Sequence, residues 1–132
     1  MVPSHVAFIP DGNRRRARRD RITMAEAYLI GAAHGVHVVE WCRELGVRHW
    51  SIFGTSCENI LKRPQEQVEA LYCGILRFCE GVLQLPGVAL HIFGNIAGTP
   101  DALPGKTEFL QLQQVSRTEG DFVVHVGLNY AG

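Results

Sequence analysis

Apolar and polar positions along the chain alternate between two periods. Val6 to Pro10 is a short apolar run closed by Asp11-Gly12-Asn13, the pattern of a buried strand entering a tight turn. From Met24 to Leu45 the positions Ile30, His34, Val38, Trp41 and Leu45 recur at helical spacing, and Gly46 supplies a C-terminal stop. Val47 to Phe53 is short and β-rich, a second strand, and Gly54 to Lys62 reads as a polar loop. Pro64 then opens a second helix, since proline at the first helical position gives up a donor that has no partner there. Val68, Leu71, Tyr72, Ile75, Cys79 and Val82 form that helix's apolar face. Val88 to Phe93 is a third strand, a weaker helix follows over Thr107 to Thr118 (Phe109, Leu112, Val115), and Phe122 to Leu128 is a fourth strand.

Strands that alternate with helices predict an α/β fold: a parallel sheet of about four or more strands with helices on both faces. Ligands of such sheets bind beyond the carboxyl ends of the strands. That rule gathers three separate segments on one rim: Asp11-Gly12-Asn13, Gly54 to Lys62, and Asn129-Tyr130, with Gly94 to Pro100 bordering them.

Composition narrows the class without naming it. The 132 residues fit a single domain, 1–132, and 46% hydrophobic with 20% charged residues is ordinary globular usage. Thirteen basic residues balance thirteen acidic ones, so the total charge does not call for nucleic acid. No apolar stretch reaches the length of a transmembrane segment, and the N-terminus shows no secretory-signal pattern. The four cysteines, Cys42, Cys57, Cys73 and Cys79, form no CxxC pair. They read as reduced thiols of a cytoplasmic protein, three of them on buried helix faces.

Against this neutral background, six arginines fall between Arg14 and Arg21, directly after the Asp-Gly-Asn turn. Glycine lets a backbone approach a ligand closely, exposed N–H groups at a helix start favour an anion, and the guanidinium fork suits phosphate oxygens. A lone aspartate in so positive a setting is accounted for by Mg²⁺, which combines carboxylate with phosphate oxygens. The residues alone leave three readings open: a diphosphate site, a solvated basic helix face, and a nucleic-acid surface, the last weakened by the lack of interleaved aromatics. His34 and His37 lack a third ligand at helical spacing, Gly94 to Gly98 lacks the lysine and serine of a nucleotide loop, and Cys57 reads as a small loop residue.

Three segments together carry a family resemblance: His5 to Arg15 (HVAFIPDGNRR), Phe53 to Asn59 (FGTSCEN) followed by Lys62-Arg63-Pro64, and Leu128 to Gly132 (LNYAG). In order and spacing they resemble the signatures of the cis-prenyltransferases, the undecaprenyl diphosphate synthase family. The resemblance spans essentially the whole chain. It implies a Mg²⁺-dependent enzyme on an allylic prenyl diphosphate, with Asp11 holding the metal and Gly12, Asn13, Arg14 and Arg15 wrapping the diphosphate. It further implies Ser56, Glu58 and Asn59 beside the reacting carbons, with Arg63 closing that motif. Asn129 and Tyr130 fall at the rim, and Tyr28, Trp41 and the aliphatic face of the first helix are candidates for the prenyl tail or its rim.

Departures accompany the matches. Arg16 stands where the family has a tryptophan, and Met24 and Tyr28 where it has an arginine and a histidine, with Arg19 or Arg21 as substitutes for the arginine. Ile60 replaces another tryptophan, and one residue is inserted before Arg63. Family members continue past the third motif into the segment that binds isopentenyl diphosphate and builds the dimer, so the chain reads as truncated relative to them. Three expectations result: ionisation of one allylic diphosphate with transfer, cyclisation or rearrangement; a partner chain supplying the second diphosphate site, as in heteromeric members; or binding without turnover. A second subunit or a homodimer is the expected protein partner.

Overall fold

The computed structural model describes residues 1–103 and 105–130, so Ala131 and Gly132 of the third motif lie outside the described residues. Four strands, β1 (His5–Phe8), β2 (His49–Ser56), β3 (Val88–Phe93) and β4 (Phe122–Tyr130), make one parallel sheet in the order β1-β2-β4-β3. The helices are α1 (Asn13–Asp20), α2 (Met24–Glu44), α3 (Cys57–Lys62), α4 (Gln65–Leu83) and α5 (Lys106–Gln114), with a 3₁₀ turn at Ile96–Gly98.

Strand alternation sorts the side chains into two faces. Val6, Trp50, Val124 and Leu90 are in register across the sheet, as are Phe8, Ile52, Val126 and Ile92. These rows meet Val39 of α2 and Val68, Tyr72, Phe78, Cys79 and Val82 of α4 in the core. Trp50 is its centre, with ring centroids 5.1 Å from Phe8 and 5.4 Å from Phe78. Full burial of side chains this large stabilises by about 2–3 kcal/mol each.

The opposite face carries His5, His49, Ser51, His125 and His91. His91 Nδ1 lies 2.8 Å from His125 Nδ1, His125 Nε2 lies 3.1 Å from His49 Nδ1, and His5 Nε2 lies 2.6 Å from Ser51 Oγ. Partial burial, then the charges of His91, His49 and His5, push the His125 imidazole down to about 4. Helices on both faces were expected, but α5 lies by β3 on the α4 side, because Phe109 enters the common core 5.9 Å from Tyr72. The outer edge of β3 is covered by the chain after α5: Arg117 N–H donates to Leu90 O at 3.0 Å and Ile92 N–H to Ser116 Oγ at 2.9 Å.

Local chemistry explains where the sequence reading holds and where it slips. The face expected for α4 is buried, Ile75 partly. In α2 the buried positions are Ala27, Tyr28, Ala32 and Val39, whereas His34, Trp41 and Leu45 face solvent. Small residues set that contact, because they let α2 approach α4 closely, and periodicity of large apolar residues does not see them. The expected loop from Gly54 to Lys62 is instead the end of β2 followed by α3, whose capping box pairs Ser56 Oγ with Asn59 N–H and Asn59 Oδ1 with Ser56 N–H. Pro64 is the N-cap of α4 rather than its first residue. Among the cysteines only Cys79 is fully buried; Cys42 is half-buried, and Cys57 and Cys73 are exposed. Among the described residues no single helix is long and apolar enough to cross a membrane.

Candidate active site

The carboxyl ends of β1, β2 and β4 surround a cavity of about 260 Å³. Pro10, Asp11, Gly12, Asn13 and Arg14 bring it the exit of β1, while Gly54, Ser56, Asn59 and Arg63 come from β2 and α3, and Tyr130 from β4. Gly12 adopts the left-handed conformation (φ 94°) needed to turn the chain from strand into helix, and serves as N-cap of α1. No side chain caps that helix. Its first-turn N–H groups are therefore left to an outside acceptor, and they add to the positive field of Arg14 and Arg63.

Asp11 is the sole carboxylate on this lining. Its Oδ1 accepts from Gly12 N–H at 2.7 Å, its Oδ2 lies 3.7 Å from Arg15 Nη2, and the side chain is 81% exposed. Lone pairs on both oxygens thus stay open to a cation. Among the described residues no three His, Cys, Asp or Glu side chains are arranged to hold a metal ion unaided. With a single carboxylate, Asp11 could hold Mg²⁺ where a ligand supplies phosphate oxygens as the remaining donors.

A second cavity of about 370 Å³ continues from the first, the two sharing Pro10, Asp11, Asn13, Tyr28, Gly54 and Leu71. Its walls are mainly apolar, with Ala32 and Val38 of α2, Ile52 of β2, and Ile75 and Phe78 of α4, and His34 of α2 is also on the lining. Glycines keep it open. A Cβ on Gly35 would meet the Phe78 ring at 3.0 Å, and one on Gly74 would meet the Tyr28 carbonyl oxygen at 3.2 Å. Of this lining, Val38 belongs to the first-helix face expected to hold the tail, whereas the glycines were not read from sequence, although the i, i+4 pair Gly31 and Gly35 in the middle of a helix was the available signal.

Asn129, expected at the rim, lies beneath it, 3% exposed and in left-handed backbone geometry (φ 54°). Its Oδ1 accepts from Thr55 Oγ1 at 3.0 Å and from the Tyr72 hydroxyl, and its Nδ2 donates to Asn95 O at 3.1 Å and Thr99 Oγ1 at 2.6 Å. All four hydrogen-bonding positions of the carboxamide are used. The residue thereby ties β4 to β2, α4 and the 3₁₀ segment, and fixes Tyr130 at the cavity. Tyr72 was read from sequence only as part of the α4 apolar face, and Thr55 and Thr99 were not read as its companions, because nothing local marks a partner many residues away. Gly94 belongs to the same junction: its φ is 115°, and any Cβ there would collide with the Leu128 carbonyl.

Four further candidates stand outside both linings. Glu58 is exposed and ion-paired with Lys62. Arg15 is 79% exposed and faces Asp11 from outside the cavity. Arg21 is the left-handed C-cap of α1. Trp41, 58% exposed, stacks on His37 on the solvent side of α2.

Comparison with known proteins agrees with the three-motif resemblance. Residues 9–132 match the family model described as "Putative undecaprenyl diphosphate synthase". A tritrans,polycis-undecaprenyl-diphosphate synthase (geranylgeranyl-diphosphate specific) of Thermococcus kodakarensis is 32% identical over 99% of this chain and 50% of its own length. An isoprenyl transferase of Clostridium acetobutylicum is 28% identical over 99% of this chain and 51% of its own length. Lavandulyl diphosphate synthase from Lavandula x intermedia, solved in complex with dimethylallyl diphosphate, shares the fold with a TM-score of 0.76 at 22% identity, covering 99% of this chain and 56% of that one. The chain spans about half the length of these relatives.

Proposed function

That this chain belongs to the undecaprenyl diphosphate synthase family, the cis-prenyltransferases, is the premise from which we propose that it binds an allylic prenyl diphosphate of geranyl or farnesyl type and ionises it with loss of pyrophosphate. One observation carries the reading. A polar cavity with two guanidinium groups, one carboxylate and an uncapped helix start opens directly into an apolar cavity between α2 and α4. A diphosphate head with a hydrocarbon tail has that division of polarity.

The chemistry assigned to the residues follows from charge. When the allylic C–O bond breaks, its electron pair leaves with the pyrophosphate oxygen and a delocalised cation stays on the prenyl group. Arg14, Arg63 and the N–H groups at the start of α1 stabilise the departing anion. Mg²⁺ bound at Asp11 would add neutralisation of the same charge. Tyr28 lines both cavities, and Phe53 and Tyr130 line the polar one, so aromatic faces are placed to stabilise the cation. Ser56 and Asn59 shape the wall, since their mutual capping bonds already fix their orientation. The cation then passes to an acceptor, or closes or rearranges within the tail.

The half-length match favours a second reading. In it, condensation with a second diphosphate needs polypeptide beyond these residues, and this chain contributes the allylic half. Incubation of the protein with Mg²⁺ and dimethylallyl, geranyl or farnesyl diphosphate, with and without isopentenyl diphosphate, separates the cases by mass spectrometry. Pyrophosphate and a prenyl product from the allylic substrate alone are expected. Product only with isopentenyl diphosphate and a second polypeptide would establish the shared enzyme, and binding without release a carrier. No binding at all would overturn the proposal.

A further inference from the structure

The arginines of α1 are not equivalent. Arg15 is paired with Asp11, and Arg16 and Arg19 with Asp20. Arg14 and Arg18 have no carboxylate partner among the described residues. They are four positions apart and so project from the same side of α1. Both line a separate opening of about 380 Å³ where α1 meets the starts of α2 and α4, together with Ala17, Ile22, Met24 and Gln67. Gln67 is on that lining, and its Nε2 is buried without a hydrogen-bond partner. Unpaired buried donors are rare because they are costly, and a turn of the Gln67 side chain toward the opening would let its amide donate to a ligand acceptor. The lining contains no acidic side chain.

Two guanidinium forks and an amide donor, with no carboxylate opposing them, suit an anion that offers several oxygens. We propose that this opening is a second phosphate-binding site, distinct from the candidate active site and joined to it through Arg14, which lines both. Its ligand is a multiply charged phosphate anion: free pyrophosphate, or the phosphomonoester head of a lipid. The inference does not depend on the prenyl diphosphate reading, because Arg18, Gln67, Ile22 and Met24 take no part in the first cavity.

Titration of the whole protein with inorganic pyrophosphate, followed by calorimetry without Mg²⁺, tests it, with phosphatidylcholine vesicles containing or lacking phosphatidic acid as the second arm. Two classes of pyrophosphate site, or capture by the phosphatidic acid vesicles alone, are expected. Arg18→Ala and Gln67→Glu should each weaken the outer class, or the vesicle binding, about tenfold or more while thermal unfolding is unchanged, since one charge-assisted bond is lost or one repulsion added. Arg63→Ala should weaken the other class alone. Should the inner class be missing while the Arg18-dependent one persists, the active-site reading fails and this one stands. A single class insensitive to Arg18→Ala, with equal binding to both vesicles, overturns it.

Discussion

Replacing Asn129 by alanine tests the junction that places Tyr130 at the cavity. The substitution deletes four side-chain hydrogen bonds, to Thr55, Tyr72, Asn95 and Thr99, but leaves the backbone bond from Asn129 N–H to Thr55 Oγ1. At about 1 kcal/mol net for each bond, the loss is about 3–5 kcal/mol once partial rearrangement of the freed hydroxyls is allowed for. Domains of this kind have a total stability of roughly 5–15 kcal/mol, so the variant should unfold in urea at a much lower midpoint with little change in slope. Tm should fall by about 10–20 °C, at a few degrees per kcal/mol for a chain of this size. Thr99→Val removes one partner of the four and should cost about 1 kcal/mol. Urea unfolding followed by tryptophan fluorescence, with buried Trp50 as the reporter of the core, and by circular dichroism reads both. A loss below about 1 kcal/mol for Asn129→Ala would refute the claim that this carboxamide holds the junction together.

Other outcomes follow from the same geometry. His125 is held neutral by burial and by its histidine neighbours, its value pushed down to about 4. Between pH 6.5 and pH 4 the unfolded chain therefore binds the extra proton, so stability is complete above about 6.5 and falls as pH drops toward 4. The ring is partly solvated, so screening limits the effect to about 1–2 kcal/mol, and His125→Gln should flatten that part of the profile. A wild-type profile that is already flat there would contradict it. Gly35→Leu fills the apolar cavity against Phe78. It should weaken farnesyl diphosphate far more than dimethylallyl diphosphate, at about 0.8 kcal/mol per excluded methylene; equal losses in calorimetry would remove the tail assignment. Asp11→Ala should abolish pyrophosphate release while the circular dichroism spectrum and Tm stay unchanged. Full release by that variant would remove the metal role.

How far these features were legible depended on range. The strands and α4 could be read because their patterns are local and dense: Val88 to Phe93 is a strand with those ends, and the α4 face is carried by residues from Val68 to Val82. The α2 face was misread because Trp41 and Leu45 repeat at helical spacing yet face solvent, while alanines and glycines make the contact with α4. The helix Cys57–Lys62 is too short for periodicity, although Ser56 and Asn59 held its capping box in plain view. For the site, the turn at Asp11 to Arg14 and the motif through Ser56, Asn59 and Arg63 were legible as motifs, and the parallel sheet brings them to one cavity. Asn129 was legible as a name but not as a hub, since its partners Thr55, Tyr72 and Thr99 lie in three other segments. Tyr28 and Met24 depart from the family pattern, and the structure sets them apart: Tyr28 lines both inner cavities and Met24 the outer opening.

The most direct test is a crystal structure of the protein with Mg²⁺ and the thiolodiphosphate analogue of dimethylallyl diphosphate, which cannot ionise readily. The expected density has the diphosphate within hydrogen-bonding distance of Arg14 and Arg63, a cation between it and Asp11, and the prenyl carbons directed past Tyr28 toward Gly35 and Phe78. An empty cavity at saturating ligand, or a diphosphate bound with Asp11 turned away from any ion, would contradict it.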